Sequence, residues 1–128
     1  MINNLLNLLK GFDTKPASPP TEFELQIIQS VLAKNETVER LARGRNTSHG
    51  WSVWALTQSR VLCFNNFGAK KIRIYTLANI THTGNVKGAW GSVLDLYSGA
   101  SHEHLFAVNP QVADAFINAI DSKTPQAA

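Results

Sequence analysis

At 128 residues the chain has the length of one domain, and with 44% hydrophobic residues it can build a core, while only 16% are charged. A net charge of +3 admits anionic partners without requiring them, and the single cysteine, Cys63, excludes an internal disulfide. No stretch approaches the roughly 20 apolar residues of a membrane span, and Met1-Ile2-Asn3-Asn4-Leu5-Leu6 has neither a basic leader region nor a small-residue cleavage site, so a cytoplasmic location is expected.

Residues 2–12 place Ile2, Leu5, Leu6, Leu9 and Phe12 at helical spacing, a short apolar stripe on a polar backing. Pro16, Pro19 and Pro20 then remove backbone donors and make a linker, so 1–20 is set apart from a domain over 21–123, with 124–128 a disordered tail. Thr21 can cap a helix over 22–34, with Glu22 and Glu24 in its first turn and Leu25, Ile28 and Leu32 on one face. After Asn35 the period falls to two. Strands are predicted over 38–45, 51–57, 60–66, 69–76, 78–83, 91–98 and 102–108. They are joined by short turn-forming links, including Gln58-Ser59, Gly84 to Gly88, and Ser98 to Ser101, which favour antiparallel neighbours. Asn109 and Pro110 then cap and open a last helix with Val112, Phe116 and Ile120 on one stripe. Seven strands followed by one amphipathic helix predict a mainly β fold: a short antiparallel sandwich or barrel whose open end the helix closes.

The segment Leu56-Thr57-Gln58-Ser59-Arg60-Val61-Leu62 resembles the hairpin motif of bacterial pleckstrin-homology (PH)-like domains, the YokE-like and related families. Asn35-Glu36-Thr37-Val38 before the first strand, Leu77-Ala78-Asn79-Ile80, and the closing helix Val112 to Ile120 are similar to family features in order and spacing. The resemblance covers about residues 24–121. Gln58-Ser59 departs from the family's usual Asp/Asn-Lys turn, and Gly88-Ala89-Trp90-Gly91 matches no family feature. The resemblance implies a seven-stranded PH-like sandwich with a C-terminal helix, and a theme of binding and assembly without one set ligand.

From Arg40 to Lys87 there are eight basic residues and no acidic ones. In the strand 69–76, alternation puts Lys71, Arg73 and Tyr75 on one face and Ile72 and Ile74 on the core face. Lys70, Lys71 and Arg73, with Arg60 and either Arg43 or Arg45, form either a cationic patch for phosphate or lipid headgroups or an ordinary solvated sheet face. Arg60 also has a structural reading, bonding carbonyls at its hairpin base. His102 and His104 share a strand face, with His82 or a Glu as a possible neighbour. Two histidines do not specify a metal site, so neither metal nor cofactor is assigned. Trp51 and Trp54 should face opposite sides of a strand. Trp90, between glycines, is either a contact residue or a lid over the sandwich end. Asp95 and Glu103 fall on adjacent strands, with Asp95 expected in solvent between Leu94 and Leu96. No nucleophile elbow or Gly-rich phosphate loop occurs, so no catalytic residue is assigned.

These observations predict a non-enzymatic module that binds a protein partner or itself, as a homo-oligomer, using Trp90 and the stripe Leu5, Leu6, Leu9 and Phe12. The alternative is an anionic membrane surface met by Arg60, Lys70, Lys71 and Arg73. Nucleic acid is not an expected partner, because the basic region lacks the interleaved aromatics of a single-strand platform.

Overall fold

A computed structural model of the chain describes residues 19–46, 50–67 and 70–124. The stripe Leu5, Leu6, Leu9 and Phe12, the linker up to residue 18 and residues 125–128 of the expected 124–128 tail lie outside the described residues, whereas Thr124 is buried with its amide on the Ile120 carbonyl. Helix α1 (Glu22–Ser30) is opened by a reciprocal cap: Thr21 Oγ1 accepts from the Glu24 amide at 3.2 Å and Glu24 Oε1 accepts from the Thr21 amide at 2.8 Å. It ends four residues before the predicted boundary, because the Val31 and Leu32 amides bond three residues back to Ile28 and Gln29 and the Ala33 amide donates to Glu36 Oε1; Asn35 at φ 66° then turns the chain toward the first strand.

Seven strands follow: β1 (Val38–Arg45), β2 (Trp51–Thr57), β3 (Arg60–Asn66), β4 (Ile72–Thr76), β5 (His82–Gly88), β6 (Gly91–Ser98) and β7 (Ser101–Val108). They form one antiparallel sheet in the order β4-β3-β2-β1-β7-β6-β5. Helix α2 (Pro110–Lys123) closes the fold, its N-terminus capped by Asn109 Oδ1 and opened by Pro110. The mainly β architecture with a C-terminal helix is thus the one the patterning predicts. No helix among the described residues is long and apolar enough to cross a membrane.

One registered pair, Arg45 with Phe106, joins β1 to β7, so the β1–β4 and β5–β7 halves meet along a narrow seam and fold over one another. Gly44 permits the approach. A Cβ there would sit 2.2 Å from the Phe106 carbonyl oxygen and 2.9 Å from the Val108 side chain. Beyond the seam β7 carries one extra residue relative to β6, with Ala107 at φ 58°. This bulge lets Leu105 and Val108, three apart, both face inward while Phe106 turns out.

The inner core joins both halves of the sheet to α2. Trp54, Leu56, Val61 and Cys63 meet Leu94, Leu96, Leu105 and Val108, and Phe116, Ile117 and Ile120 close the end. A second core lies on the other face, where Leu25 and Ile28 of α1 cover Leu41, Val53, Ala55, Leu62 and Phe64. Strands β2 and β3 are therefore buried on both faces, which is why Val53 to Leu56 and Val61 to Phe64 read as unbroken apolar runs. The buried thiol of Cys63 is pushed well up, first by burial and then by the charge of Glu103.

Two expectations are corrected. The fifth strand is not 78–83. Leu77–Asn79 forms a 3-10 turn that turns Leu77 and Ile80 inward together, and β5 runs through the segment read as a Gly84 to Gly88 loop. In β4 the faces are exchanged: Tyr75 is in the inner core, Ile72 packs at the margin of the α1 core and Ile74 is 48% exposed. Alternation separates the two sides of a strand, but this sheet has a core on each side.

Adding a methyl at the seam tests this closure. Gly44→Ala should force β1 and β7 apart and cost about 1–3 kcal/mol, as overpacking does. Urea unfolding measures it; a change within ±0.5 kcal/mol would show that the seam is not tight.

Candidate functional site

Four cations were candidates for one anion-binding face, and the structure does not bring them together. Arg60 belongs to the α1 side of β3. Its Nε donates to Glu36 Oε2 at 2.8 Å, and a terminal nitrogen donates to Glu36 Oε1 and to the Val31 carbonyl. Glu36 also accepts from the Thr57 hydroxyl at 2.7 Å and the Ala33 amide at 2.8 Å. Arg60 thus holds the β2–β3 hairpin to the chain leaving α1, close to its structural reading. These bonds, with the Arg60 guanidinium foremost, hold the Glu36 carboxyl at about 2 against an ordinary 4.5, and the same partner raises Arg60.

Arg73 lies on the opposite face, paired in register with Cys63. Its Nε is 2.7 Å from Oε2 of the buried Glu103, which also accepts the Tyr75 hydroxyl proton. This triad ties the edge strand β4 across the interior to β7. Burial, then the hydrogen bond to Glu103, raises the Tyr75 phenol; the charge of Glu103 raises Arg73. Lys70 and Lys71 are exposed, but at the far end of the sheet from Arg60. The Lys71 carbonyl accepts from Asn65, five residues along β3, roughly 17 Å at about 3.3 Å per residue.

Arg43 and Arg45 are likewise committed to the fold. Arg43 is buried on Glu24, with its Nε 2.8 Å from Oε1 and a terminal nitrogen 3.2 Å from Oε2. Burial alone would raise the Glu24 carboxyl. Hydrogen bonds from Arg43, the Thr21 amide and the Asn66 amide outweigh it and hold Glu24 below its ordinary value. Both guanidinium groups lie over the half-buried Trp51 ring, at 4.2 Å and 4.4 Å. Trp54 is fully in the core, so the two tryptophans face opposite sides as predicted.

Trp90 stands at the tip of the β5–β6 hairpin and is 86% exposed, with Val86 on the same hairpin 63% exposed. It does not fold back as a lid. Lys87 beside it reaches Asp114 of α2 at 3.5 Å. This tip, on an edge strand of the sheet, is the most exposed apolar surface of the described residues.

The carboxylates do not form an acid–base pair. Asp95 is opposite His104 in register and points outward, while Glu103 is opposite Leu96 and points into the core. Alternation therefore separates them by the thickness of the sheet. A groove of about 480 Å³ lies between β1 and α2, lined by Glu39, Arg40, Asn118, Ser122 and Lys123 with Ala115 and Ala119. A Lys123–Glu39 ion pair at 2.7 Å links its walls, and Ser122 donates its hydroxyl proton to the Ala119 carbonyl. That lining places no activated nucleophile beside a base.

The Glu36–Arg60 contact has a pH signature. A carboxyl held below its unfolded value contributes stability that is complete above about pH 4.5 and is lost as the pH falls toward about 2. Glu36→Gln should therefore cost on the order of 2–3 kcal/mol at pH 7, with the gap to the parent narrowing steadily below pH 4.5. Denaturant titrations at pH 7, 4 and 2.5 measure both; a gap independent of pH would exclude this contribution.

Comparison of the chain with protein-family models, curated proteins and solved structures gives no match.

Proposed function

We propose that this chain is a non-enzymatic interaction module, related to the bacterial PH-like domains that its Leu56 to Leu62 segment resembles, and that it works by self-assembly or by binding a protein partner through the β5–β6 hairpin. The observation that carries this reading is Trp90, 86% exposed at a hairpin tip with the exposed Val86 behind it. Covering an indole removes roughly 150–250 Å² from water, on the order of 4 kcal/mol before the costs of association. Tryptophan is also the residue type that most often dominates protein interfaces.

The edge supports the same reading. β5 has a neighbour on one side only, so its outer backbone groups can accept a further strand. The alternative, an anionic membrane surface, draws on the basic sheet face. There Arg60 and Arg73 are held on Glu36 and Glu103 on opposite faces, which leaves the exposed Lys70 and Lys71 as its support.

Light scattering coupled to size exclusion, on the full-length chain at low and high salt, tests the proposal for a second copy. The expected result is a defined oligomer at both salts that falls to monomer mass in Trp90→Ala. Because Trp90 is exposed, that variant should unfold within about 0.5 kcal/mol of the parent. A monomer at every concentration would overturn self-assembly. Salt-sensitive binding to acidic vesicles, with none to neutral ones, would favour the membrane reading instead.

A further inference from the structure

The outer face of the β5–β7 half carries a row of rings that α1 does not cover. His82, Tyr97, His102, His104 and Phe106 follow one another with successive centroid separations of 5.6, 4.1, 5.0 and 5.0 Å. The register explains the row. His82 is opposite Tyr97, and Tyr97 is opposite His102; residues directly opposite share a face, and His104 lies two residues along β7 from His102. The same rule puts Asp95, opposite His104, into the row.

We infer that Asp95, His102 and His104 form a binding site for one borderline divalent transition-metal ion, zinc being the first expectation. One ligand atom from each of the three lies within 4.8 Å of the others. His102 Nε2 is already 2.8 Å from Asp95 Oδ1. Two donors bound to one metal at about 2.1 Å in tetrahedral geometry stand roughly 3.4 Å apart, so an ion needs only a modest widening of this contact. Two imidazole nitrogens and one carboxylate suit zinc, copper or nickel better than magnesium or calcium, which take oxygen ligands.

The surroundings constrain the ligands. Tyr97 stacks on His102 with ring planes 5° apart, which holds the imidazole upright on the sheet. Gly84, opposite Asp95, presents no side chain; a Cβ there would lie 3.4 Å from the Asp95 carboxylate. The three ligands come from two adjacent strands with a sheet behind them, so the position left open on the metal faces away from the protein. Three protein ligands and an open position are the pattern of sites whose metal takes a fourth ligand from solvent or from another molecule.

Zinc chloride titrated into the untagged full-length protein, followed by calorimetry, tests the site. The expected result is saturable binding of one zinc per chain. Asp95→Asn and His104→Ala should each weaken it at least tenfold, whereas His82→Ala and Trp90→Ala leave it unchanged. Imidazole NMR resonances of His102 and His104 should shift on zinc addition while those of His82 stay in place. All three ligands lie at the surface, so circular dichroism should show each variant folded. Absence of saturable binding, or binding that survives both Asp95→Asn and His104→Ala, would overturn the assignment. Because Trp90→Ala is expected to bind zinc normally, failure of this site and failure of the hairpin interface are separable.

Discussion

The buried ion pair between Glu24 and Arg43 is the contact on which the layering of this protein depends. It docks α1 on the outer face of β1–β3, and with it Leu25 and Ile28 over a second core. A charge this deep is tolerated only because its bonds are made. Glu24 takes bonds from the Arg43 guanidinium, the Asn66 side chain and the Thr21 amide, while Arg43 also lies over the Trp51 ring. The same Glu24 carboxylate caps its own helix. One side chain therefore fixes where α1 starts, how it is oriented, and which face of the sheet it covers.

The cover of α1 stops within the first half of the sheet, and this asymmetry sets which outer surface stays open. Over β1–β3 the outer face is roofed, and the cations found there answer to structural carboxylates: Arg43 to Glu24, Arg60 to Glu36. Over β5–β7 the outer face is bare and carries rings, imidazoles and one carboxylate instead of an apolar core. The hairpin tip with Trp90 extends from this uncovered half. Both the proposed interaction surface and the proposed metal-binding cluster fall on the part of the sheet whose outer face α1 leaves open, the inner face being filled by α2 and the core.

The seam at Gly44 makes the two halves one fold. Without a close β1–β7 approach the inner cluster would not meet across the gap, and Tyr75 of β4 would not reach Glu103 of β7. The Arg73–Glu103–Tyr75 triad is the polar counterpart of that closure, tying an edge strand to the opposite half where β4 and β7 share no backbone ladder.

Local features carried much of this architecture. The period of two located β1, β2, β3 and β6 at their observed bounds and β7 to within one residue, and the Asn109-Pro110 signal placed α2, because strand alternation and helix caps are written in neighbouring residues. The ring row was partly legible too. A two-residue link at Gly99-Ala100 pairs Ser98 with Ser101 and therefore Asp95 with His104, so the third side chain of the proposed metal site was within reach of register arithmetic. Tertiary structure alone decided which cations were free of the fold. Whether Arg60 or Arg73 meets a carboxylate depends on Glu36 and Glu103, 24 and 30 residues away in sequence. It alone decided the faces of β4, since alternation distinguishes two sides of a strand but not which of two cores each will meet. Spacing and local hydrogen bonding were enough to set the order of the elements and the position of most of them, β5 being the exception. The pairing of charges and the choice of covered face depended on contacts between distant segments, which no local pattern encodes.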